Sequence, residues 1–232
     1  MLIGCIQKLT LLDYPGRVAA AIFTFGCNFR CRFCHNPELV LEQKNKILPI
    51  IPEQEIFNFL QSRQNLIEGV VITGGEPTIQ ADLPEFVQKV KALKFLIKID
   101  TNGTNPGMIS RLIKEGNVNY WAMDIKAPLE KYEIITGRKT NLEHLEKSIA
   151  LIKQSGVPYE FRSTLTKELH AKEDVFLMAK LIKGADQYFL QKFVPREKLV
   201  DPALAKATPF SNDELLFLAS ECRRLVKKCE VR

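Results

Sequence analysis

The chain has 232 residues, of which 46% are hydrophobic and 26% are charged, and this composition is close to the globular average. Such a composition excludes a disordered, collagen-like or coiled-coil protein. The 33 Lys and Arg residues exceed the 27 Asp and Glu residues, which gives a net charge of +6. This excess is far smaller than that of a nucleic-acid-binding arm, so nucleic acid is not expected as a partner.

The sequence contains no membrane-spanning pattern, because no stretch reaches the ~20 consecutive apolar residues that a transmembrane helix needs. The apolar run 18–25 ends before Gly26 and Cys27, but it is short and is followed by two further cysteines, which does not fit a cleaved signal. We therefore expect a cytoplasmic protein, without membrane association, whose reduced cysteines are free to bind metal.

Short apolar runs alternate with amphipathic segments along the chain. Each run is nearly continuously apolar, which is typical of strands that are buried on both faces of a parallel sheet. The predicted strands are residues 18–25, 69–73, 95–101, 120–125, 159–165 and 188–193.

The segments between these runs carry helix-capping signals. The expected N-terminal caps are Asp82, Asn105, Asn141 and Ser211, and the expected terminating glycines are Gly116, Gly156 and Gly184. Alternating strands and helices predict right-handed βαβ units and a parallel sheet. A complete eight-unit barrel typically has ~250 residues. The sequence therefore predicts an α/β fold of one domain, residues 1–232, built as an open, partial (β/α)6 TIM-type barrel.

Half of the six cysteines lie in one loop directly after the first predicted strand. Cys27, Cys31 and Cys34 form a C-x3-C-x2-C pattern, a spacing that chance placement rarely produces. Thiolates bind zinc ions and iron–sulfur clusters. Structural zinc needs four ligands, and the adjacent side chains of Cys34 and His35 converge poorly on one ion. Three cysteines on a [4Fe–4S] cluster would leave one iron open to a substrate.

The cysteine loop, with Phe33 before its last cysteine, resembles that of the radical S-adenosylmethionine (SAM) superfamily. Segments 13–17 and 26–38 are similar to the activating enzymes of glycyl-radical enzymes, in particular the activating protein of anaerobic ribonucleoside-triphosphate reductase. The usual Asp-Gly-Pro-Gly of that family reads Asp-Tyr-Pro-Gly here, with Tyr14 in the second position. The resemblance implies the radical SAM fold and one [4Fe–4S] cluster on the three cysteines.

The resemblance also implies a reaction. In this superfamily SAM chelates the open iron, and an electron from the reduced cluster cleaves SAM into methionine and a 5′-deoxyadenosyl radical. We therefore expect an oxidoreductase that generates a glycyl radical on a partner enzyme and receives electrons from a donor such as flavodoxin or ferredoxin. Two alternatives stay open. One is a radical SAM enzyme that modifies a small molecule, a peptide or RNA, and the other is a non-catalytic zinc or electron-transfer module.

Residues that resemble the SAM site of the family follow the next two predicted strands. Gly74, Gly75 and Glu76 match the Gly-Gly-Glu-Pro that holds the SAM amino group, and an ordinary glycine turn is the alternative. Asp100 lies at the end of the third strand and Asn102 directly after it. The resemblance implies a place for both around the ribose and carboxylate of SAM and an associated monovalent cation. Capping of the following segment is the competing interpretation.

The later strands carry further residues of this kind. Asp124 and Lys126 follow the fourth strand and share the expectation just given for Asp100 and Asn102. Arg162 lies in the fifth strand and is expected near SAM, with a salt bridge to an internal carboxylate such as Asp124 as the alternative. Gln191, in the sixth strand, is expected to face the adenosine or the substrate. Phe33 is expected near the adenine, and packing over the cluster is its alternative.

The remaining cysteines are expected to be structural. Cys222 and Cys229 share the apolar stripe of a predicted last helix, on which their seven-residue spacing separates them by ~10 Å. That distance is too long for a disulfide. Cys5 is expected to be buried.

Overall fold

The computed structural model describes residues 1–41 and 49–232. These residues form one eight-stranded sheet in which the spatial order of the strands follows the sequence. The strands are β1 (Ile3–Thr10), β2 (Ala19–Thr24), β3 (Gly69–Gly74), β4 (Leu96–Thr101), β5 (Tyr120–Asp124), β6 (Tyr159–Leu165), β7 (Tyr188–Lys192) and β8 (Cys229–Val231). β1 is antiparallel to β2, and β2 to β8 are parallel.

Every connection between successive parallel strands contains a helix. The helices in the described residues are α1 (Pro37–Val40), α2 (Glu53–Ser62), α3 (Leu83–Ala92), α4 (Pro106–Glu115), α5 (Tyr132–Thr136), α6 (Leu142–Gln154), α7 (Lys172–Leu181) and α8 (Asn212–Cys222). The connections between β2 and β8 thus make six β/α units, as predicted, and β1 and β8 form the two edges of the described sheet. Among the described helices, none is long and apolar enough to cross a membrane.

Most of the predicted helix caps are confirmed. The side chains of Asn105, Asn141 and Ser211 accept hydrogen bonds from backbone amides in the first turns of α4, α6 and α8. The prediction for Asp82 is wrong in its detail. Asp82 stands at the N-cap position of α3, but its side chain makes no cap hydrogen bond and instead pairs with the Met1 ammonium. The Asp82 carboxylate thus pairs with a charged group distant in sequence, and not with a backbone amide of its own helix.

Two strands and two cysteine placements differ from the sequence prediction. β1 was not predicted because it is an edge strand with four exposed residues, and Cys5 is one of them rather than a buried residue. β8 has three residues, too few to show a periodic pattern. α8 ends at Cys222, and the chain turns back so that Cys229 lies in β8, beside β7. The expected ~10 Å separation along one helix is therefore wrong in its premise, since Cys222 ends the helix and Cys229 begins a strand.

The N-terminal end of the barrel is closed by an aromatic side chain. Tyr14 is 4% exposed, and its ring centroid lies 5.9 Å from that of Tyr120 at the start of β5. A Cβ atom at Gly69, at the start of β3, would lie 2.8 Å from the Tyr14 ring. Tyr14 therefore fills the space beneath β2, β3 and β5. The tyrosine that stands in place of the first glycine of the family motif therefore packs at the base of the barrel.

Candidate active site

The loop that carries the three cysteines follows β2 and is held by backbone hydrogen bonds on two sides. On one side, Arg30 N donates to Thr136 O at 2.7 Å, at the end of α5. On the other, Asp201 N donates to Arg32 O at 3.0 Å, and the Arg32 guanidinium pairs with the Asp201 carboxylate at 2.8 Å. Val200 N also donates to the carbonyl of Cys34. The loop is thereby fixed between α5 and the segment that follows β7.

The thiols of this loop lie in a desolvated environment. Burial raises the pKa of Cys27 and Cys31 to about 12, and it also raises the pKa of Cys34. Phe29 N donates to Cys27 Sγ at 3.3 Å, and Asn36 N donates to Cys34 Sγ at 3.4 Å. Isolated thiols with such pKa values stay protonated at neutral pH, whereas a metal centre displaces the proton and binds the thiolate.

The type and placement of the donor atoms bear on whether the site suits one metal ion or a cluster. In the part of the chain that the structure describes, no three His, Cys, Asp or Glu side chains are arranged to hold a single metal ion. Cys27, Cys31 and Cys34 nevertheless line the same cleft, which encloses about 840 Å³ including its open mouth. Zinc ligands converge on one centre at ~2.3 Å, whereas the ligands of an iron–sulfur cluster bind different irons and lie further apart. Three thiols on one cleft are the type of donor set that binds an iron–sulfur cluster.

The glycine pair at the end of β3 packs against the start of the cysteine loop. Gly75 N donates to Thr24 O at 2.9 Å, and Glu76 N donates to Gly26 O at 2.8 Å. Gly74 has a φ of +106°, and a Cβ atom at Gly75 would lie 1.9 Å from Gly26 O. A side chain at Gly75 would clash with backbone, so the pair is required for the close approach of two protein segments.

Glu76 joins the loops after β3 and β4. Its side chain is almost completely buried and accepts hydrogen bonds at Oε1 from Thr78 N (3.1 Å), from the Thr78 hydroxyl and from Thr101 Oγ1 (2.7 Å). At Oε2 it accepts one from Asn102 N at 2.6 Å. Desolvation raises the pKa of Glu76, although these donors oppose the shift. Because each carboxylate oxygen has about two acceptor sites, Oε2 can accept one more donor.

A largely buried ionic cluster lies on β4 and β6 and at the end of β5, next to the cleft that the cysteines line. Arg162 Nη1 lies 3.2 Å from Asp100 Oδ2, and Arg162 Nε lies 3.0 Å from Asp124 Oδ1. Lys126 Nζ donates to Asp124 Oδ2 at 3.0 Å, and the Lys98 ammonium donates to Asp100 Oδ1. We call these five residues the aspartate cluster. It combines three cations with two carboxylates and so carries one net positive charge.

The charges of the aspartate cluster stabilise one another. Burial alone would raise the pKa of Asp100 and of Asp124. The positive charges of Arg162 and Lys98 outweigh burial at Asp100, and those of Arg162 and Lys126 outweigh it at Asp124. Both pKa values therefore lie below their usual range. Burial would likewise lower the pKa of Lys126 and Arg162, yet the carboxylates hold both above their ordinary values. All four groups are therefore charged at neutral pH.

Asn102 and Phe33 connect the cysteine loop to the strands. Asn102 Nδ2 donates to Asn28 Oδ1 at 2.8 Å and lies 4.0 Å from Cys27 Sγ. Phe33 is buried, with Lys126 Nζ 5.7 Å from its ring centroid and the His170 ring at 6.2 Å. Its ring therefore packs against residues that follow β5 and β6.

The cleft is lined by every residue predicted for the site except Arg162 and Gln191. Arg162 lies deeper, in the salt bridges that the sequence offered as the alternative. Gln191 Oε1 lies 3.5 Å from Thr164 Oγ1, a residue that does line the cleft. Sequence analysis missed Lys98, although a lysine between two apolar residues of a buried strand is a recognisable signal, because an unpaired buried charge is costly.

The sequence pattern of the radical SAM superfamily matches residues 21–173. With the three-cysteine loop and the parallel β/α sheet in place, the chain belongs to the radical SAM superfamily, whose members use a [4Fe–4S] cluster and SAM. This confirms the resemblance and the fold class predicted from the sequence.

The chain aligns with nearly the whole length of some relatives in the superfamily and with only part of others. A Methanocaldococcus jannaschii protein, named as a candidate glycyl-radical enzyme activating enzyme, is 33% identical over 100% of this chain and 95% of its own length. Pyruvate formate-lyase-activating enzyme of Clostridium pasteurianum is 28% identical over 78% of this chain and 76% of its length. The GTP 3′,8-cyclase of Aquifex aeolicus is 26% identical over 76% of this chain, but over only 56% of its own length.

Solved structures with low sequence identity share the fold. QueE from Escherichia coli superimposes with a TM-score of 0.60 at 17% identity, covering 100% of this chain and 93% of QueE. SuiB from Streptococcus suis bound to SAM has a TM-score of 0.68 at 15% identity and covers 90% of this chain and 48% of SuiB. At these identities the likeness concerns the barrel alone.

Proposed function

We propose that this protein is an activating enzyme that generates a glycyl radical on a partner enzyme, such as anaerobic ribonucleoside-triphosphate reductase. The observation that carries the proposal is the extent of the similarity to the M. jannaschii protein, which spans the whole chain and 95% of that relative. The match to pyruvate formate-lyase-activating enzyme also spans about three quarters of both proteins, at 78% and 76%. Organisation as one domain over residues 1–232 and anaerobic operation in the cytoplasm belong to the same proposal.

Cys27, Cys31 and Cys34 are the proposed ligands of the [4Fe–4S] cluster. When bound, the cluster and SAM would supply the 5′-deoxyadenosyl radical, the hydrogen-abstracting species of this chemistry. The chain's own contribution is positional. The hydrogen bonds of Phe29 N and Asn36 N lower the cost of holding thiolates at this depth.

The proposed SAM site is the cleft above the aspartate cluster. Glu76 Oε2 retains capacity for a donor such as the SAM ammonium, next to the backbone of Gly74 and Gly75. The net positive charge of the cluster, with Lys126 at the cleft wall, suits the SAM carboxylate. Phe33 is proposed to lie beside the adenosine.

The other proposed contacts lie around this cleft. Asp100, Asn102 and Asp124 line the cleft and are proposed to position the ribose and methionine parts of SAM. Gln191, beside the cleft-lining Thr164, is proposed to contact the adenosine or the substrate. Arg162 is proposed to act through the two aspartates that it holds.

The proposed electron donor is a small acidic carrier such as flavodoxin or ferredoxin. Arg138 and Lys139 are exposed directly after α5, whose last residue, Thr136, accepts the backbone hydrogen bond that holds the cysteine loop. Positive charge beside the loop favours the approach of an acidic protein to the buried centre.

The proposal is tested by anaerobic incubation of the reconstituted protein with SAM, a reductant and the anaerobic ribonucleoside-triphosphate reductase of the same organism. We expect a glycyl-radical doublet in the EPR spectrum that depends on both SAM and this protein. Release of 5′-deoxyadenosine without a doublet on any candidate partner would contradict the activase proposal and favour a small-molecule, peptide or RNA substrate. Purification with one zinc and no iron or sulfide would contradict the cluster itself.

The cluster assignment predicts a specific loss in one variant. Cys31→Ala should abolish 5′-deoxyadenosine formation and reduce the iron and sulfide bound after anaerobic reconstitution, because one of three ligands is removed. Cys5→Ala is the matched control, since Cys5 is exposed on β1. Circular dichroism should show both variants folded. A Cys31→Ala protein with normal turnover would contradict the assignment.

A further inference from the structure

Lys98 is buried inside the barrel. It lies on β4 between Ile97 and Ile99 and is itself only 1% exposed. In the sheet it pairs in register with Val71 of β3 and with Tyr120 of β5, near the closed base of the barrel. A lysine in this position is far from solvent. Its ammonium must therefore be neutralised by a protein group, because a buried unpaired charge is strongly unfavourable.

The neutralising group is Asp100, whose Oδ1 accepts from the Lys98 ammonium. The other oxygen of Asp100 faces Arg162 at 3.2 Å. Asp124 is engaged in the same way, with Arg162 at 3.0 Å on one oxygen and Lys126 at 3.0 Å on the other. Each of the four carboxylate oxygens in the aspartate cluster therefore already has a cationic partner.

These contacts disagree with one expectation from the sequence. The resemblance to activating enzymes implied a monovalent cation associated with SAM near these aspartates. A free cation here would have to displace a lysine or arginine, and it would enter a cluster that already carries one net positive charge. Like charges in a desolvated site repel strongly. The residues present do not fit an added monovalent cation.

We propose that the Lys98 ammonium takes the place of that cation, as a covalently attached counter-ion that positions Asp100 beneath SAM. The inference rests on the SAM site proposed above and concerns a positioning residue, since Lys98 itself does not line the cleft. SAM binding by the wild-type protein then requires no potassium or sodium. Lys98→Met removes the ammonium and shortens the side chain by that one heavy atom, which creates the vacancy that a small cation from solution can occupy.

The test is equilibrium dialysis of SAM against the anaerobically reconstituted protein in choline, potassium or ammonium chloride at one ionic strength. Wild-type affinity should be the same in all three salts. In choline, Lys98→Met should bind SAM about tenfold more weakly, the scale of one charge-assisted hydrogen bond. Potassium or ammonium should restore its binding, because these ions enter the vacancy and choline is too large.

Two further variants separate charge from packing. Lys98→Arg retains the charge, so its SAM affinity should not respond to the salt. Lys114→Met removes an exposed lysine of α4 and controls for the change in net charge. A second measurement needs neither the cluster nor SAM. Potassium should raise the thermal unfolding midpoint of the metal-free Lys98→Met protein but not that of the metal-free wild type.

Several results would overturn the inference. If the wild-type protein required potassium to bind SAM, the inference would be wrong. This wild-type measurement decides the question even if Lys98→Met does not fold. The inference would also be wrong if a folded Lys98→Met protein bound SAM with unchanged affinity, or if its weaker SAM binding were restored by no cation. A wild-type protein that binds no SAM in any salt would instead contradict the SAM site on which the inference rests.

Discussion

Gly75 has no side chain, and its position depends on that absence. Its conformation is accessible to other residues, but a Cβ atom would lie 1.9 Å from the carbonyl oxygen of Gly26. The sequence motif suggests close approach of a ligand to the glycines. The structure shows that the close neighbour is the backbone that leads into Cys27. The glycine pair therefore determines how near the end of β3 lies to the cysteine loop.

A substitution at this residue should separate the two segments. Gly75→Ala should destabilise the metal-free protein by about 1–3 kcal/mol, the usual cost of overpacking, and lower the iron bound after reconstitution. Gly107→Ala is the control, because its Cβ atom would have its nearest contact at 3.5 Å, on a side chain. Near the start of α4 this control should be neutral or stabilising by about 0.5–1 kcal/mol. Urea denaturation and iron analysis measure both effects, and a Gly75→Ala protein equal to Gly107→Ala in both would contradict the interpretation.

At the scale of the elements, α8 illustrates how a local signal and a distant contact combine. The predicted cap Ser211 forms a capping box with Glu214, in which Ser211 N donates to Glu214 Oε2 at 2.8 Å. The same carboxylate pairs with Lys167, in the turn after β6, at 2.8 Å. The capping box is visible in the sequence, but the attachment of α8 to that turn is not.

The pH dependence of stability should reveal this attachment. The hydrogen bond from Lys167, followed by that from Ser211 N, lowers the pKa of Glu214 from 4.5 to about 2. A carboxyl whose pKa is lower in the folded state stabilises above its unfolded value, and this contribution is lost as the pH falls through the folded value. Glu214→Gln should therefore be less stable than the wild type above pH 4.5, and the difference should shrink towards about pH 2.

The control for this prediction is Asp213→Asn, which alters a carboxyl in the same turn of α8. Its stability difference from the wild type should be smaller at neutral pH. Urea denaturation at intervals between pH 3 and pH 7 makes the comparison. A Glu214→Gln difference that stays constant over the acid range would show that the charge of Glu214 does not stabilise the helix.

At the scale of the molecule, the barrel interior is ionic as well as apolar. Below the aspartate cluster, Glu160 of β6 is buried and pairs with the Arg232 guanidinium at 3.0 and 2.9 Å. Tyr120 donates to the same carboxylate at 3.2 Å. Arg162 lies 3.8 Å from Glu160, so it connects the two ionic layers along the barrel. The Arg232–Glu160 pair thereby connects the residue after β8 to β6, across the intervening strand β7.

Breaking this pair should destabilise the whole barrel. Arg232→Met leaves the buried Glu160 charge with weaker partners, and we expect a loss of about 1–3 kcal/mol of unfolding free energy. Breaking a fully buried ion pair can cost about 3–5 kcal/mol of unfolding free energy. A smaller loss is expected here because the Arg232 side chain is 36% exposed.

A double-mutant cycle tests whether the loss comes from the unpaired charge. Glu160→Gln combined with Arg232→Met should cost less than the sum of the two single changes. Urea denaturation at neutral pH gives the four free energies. Strictly additive losses would show that the guanidinium contributes by packing on Phe189, whose ring centroid lies 3.4 Å away, and not by its charge.

The sequence alone determined the six β/α units, most of the helix caps and the three-cysteine loop. Each of these depends on residues close together in the chain: apolar periodicity, a cap beside its helix, or a spacing within one loop. The strand-end position of Glu76, Asp100 and Asp124 was also predictable, because parallel strands end at one edge of the sheet.

Only the tertiary structure decided which distant partners these residues have. It places β1 and β8 at the sheet edges, puts Cys229 in β8 and not in the last helix, and forms salt bridges between Arg162 and two aspartates. It also pairs the buried Lys98 with Asp100. Burial makes each charge require a partner, but the identity of that partner depends on strand order and register, which act between segments far apart in sequence.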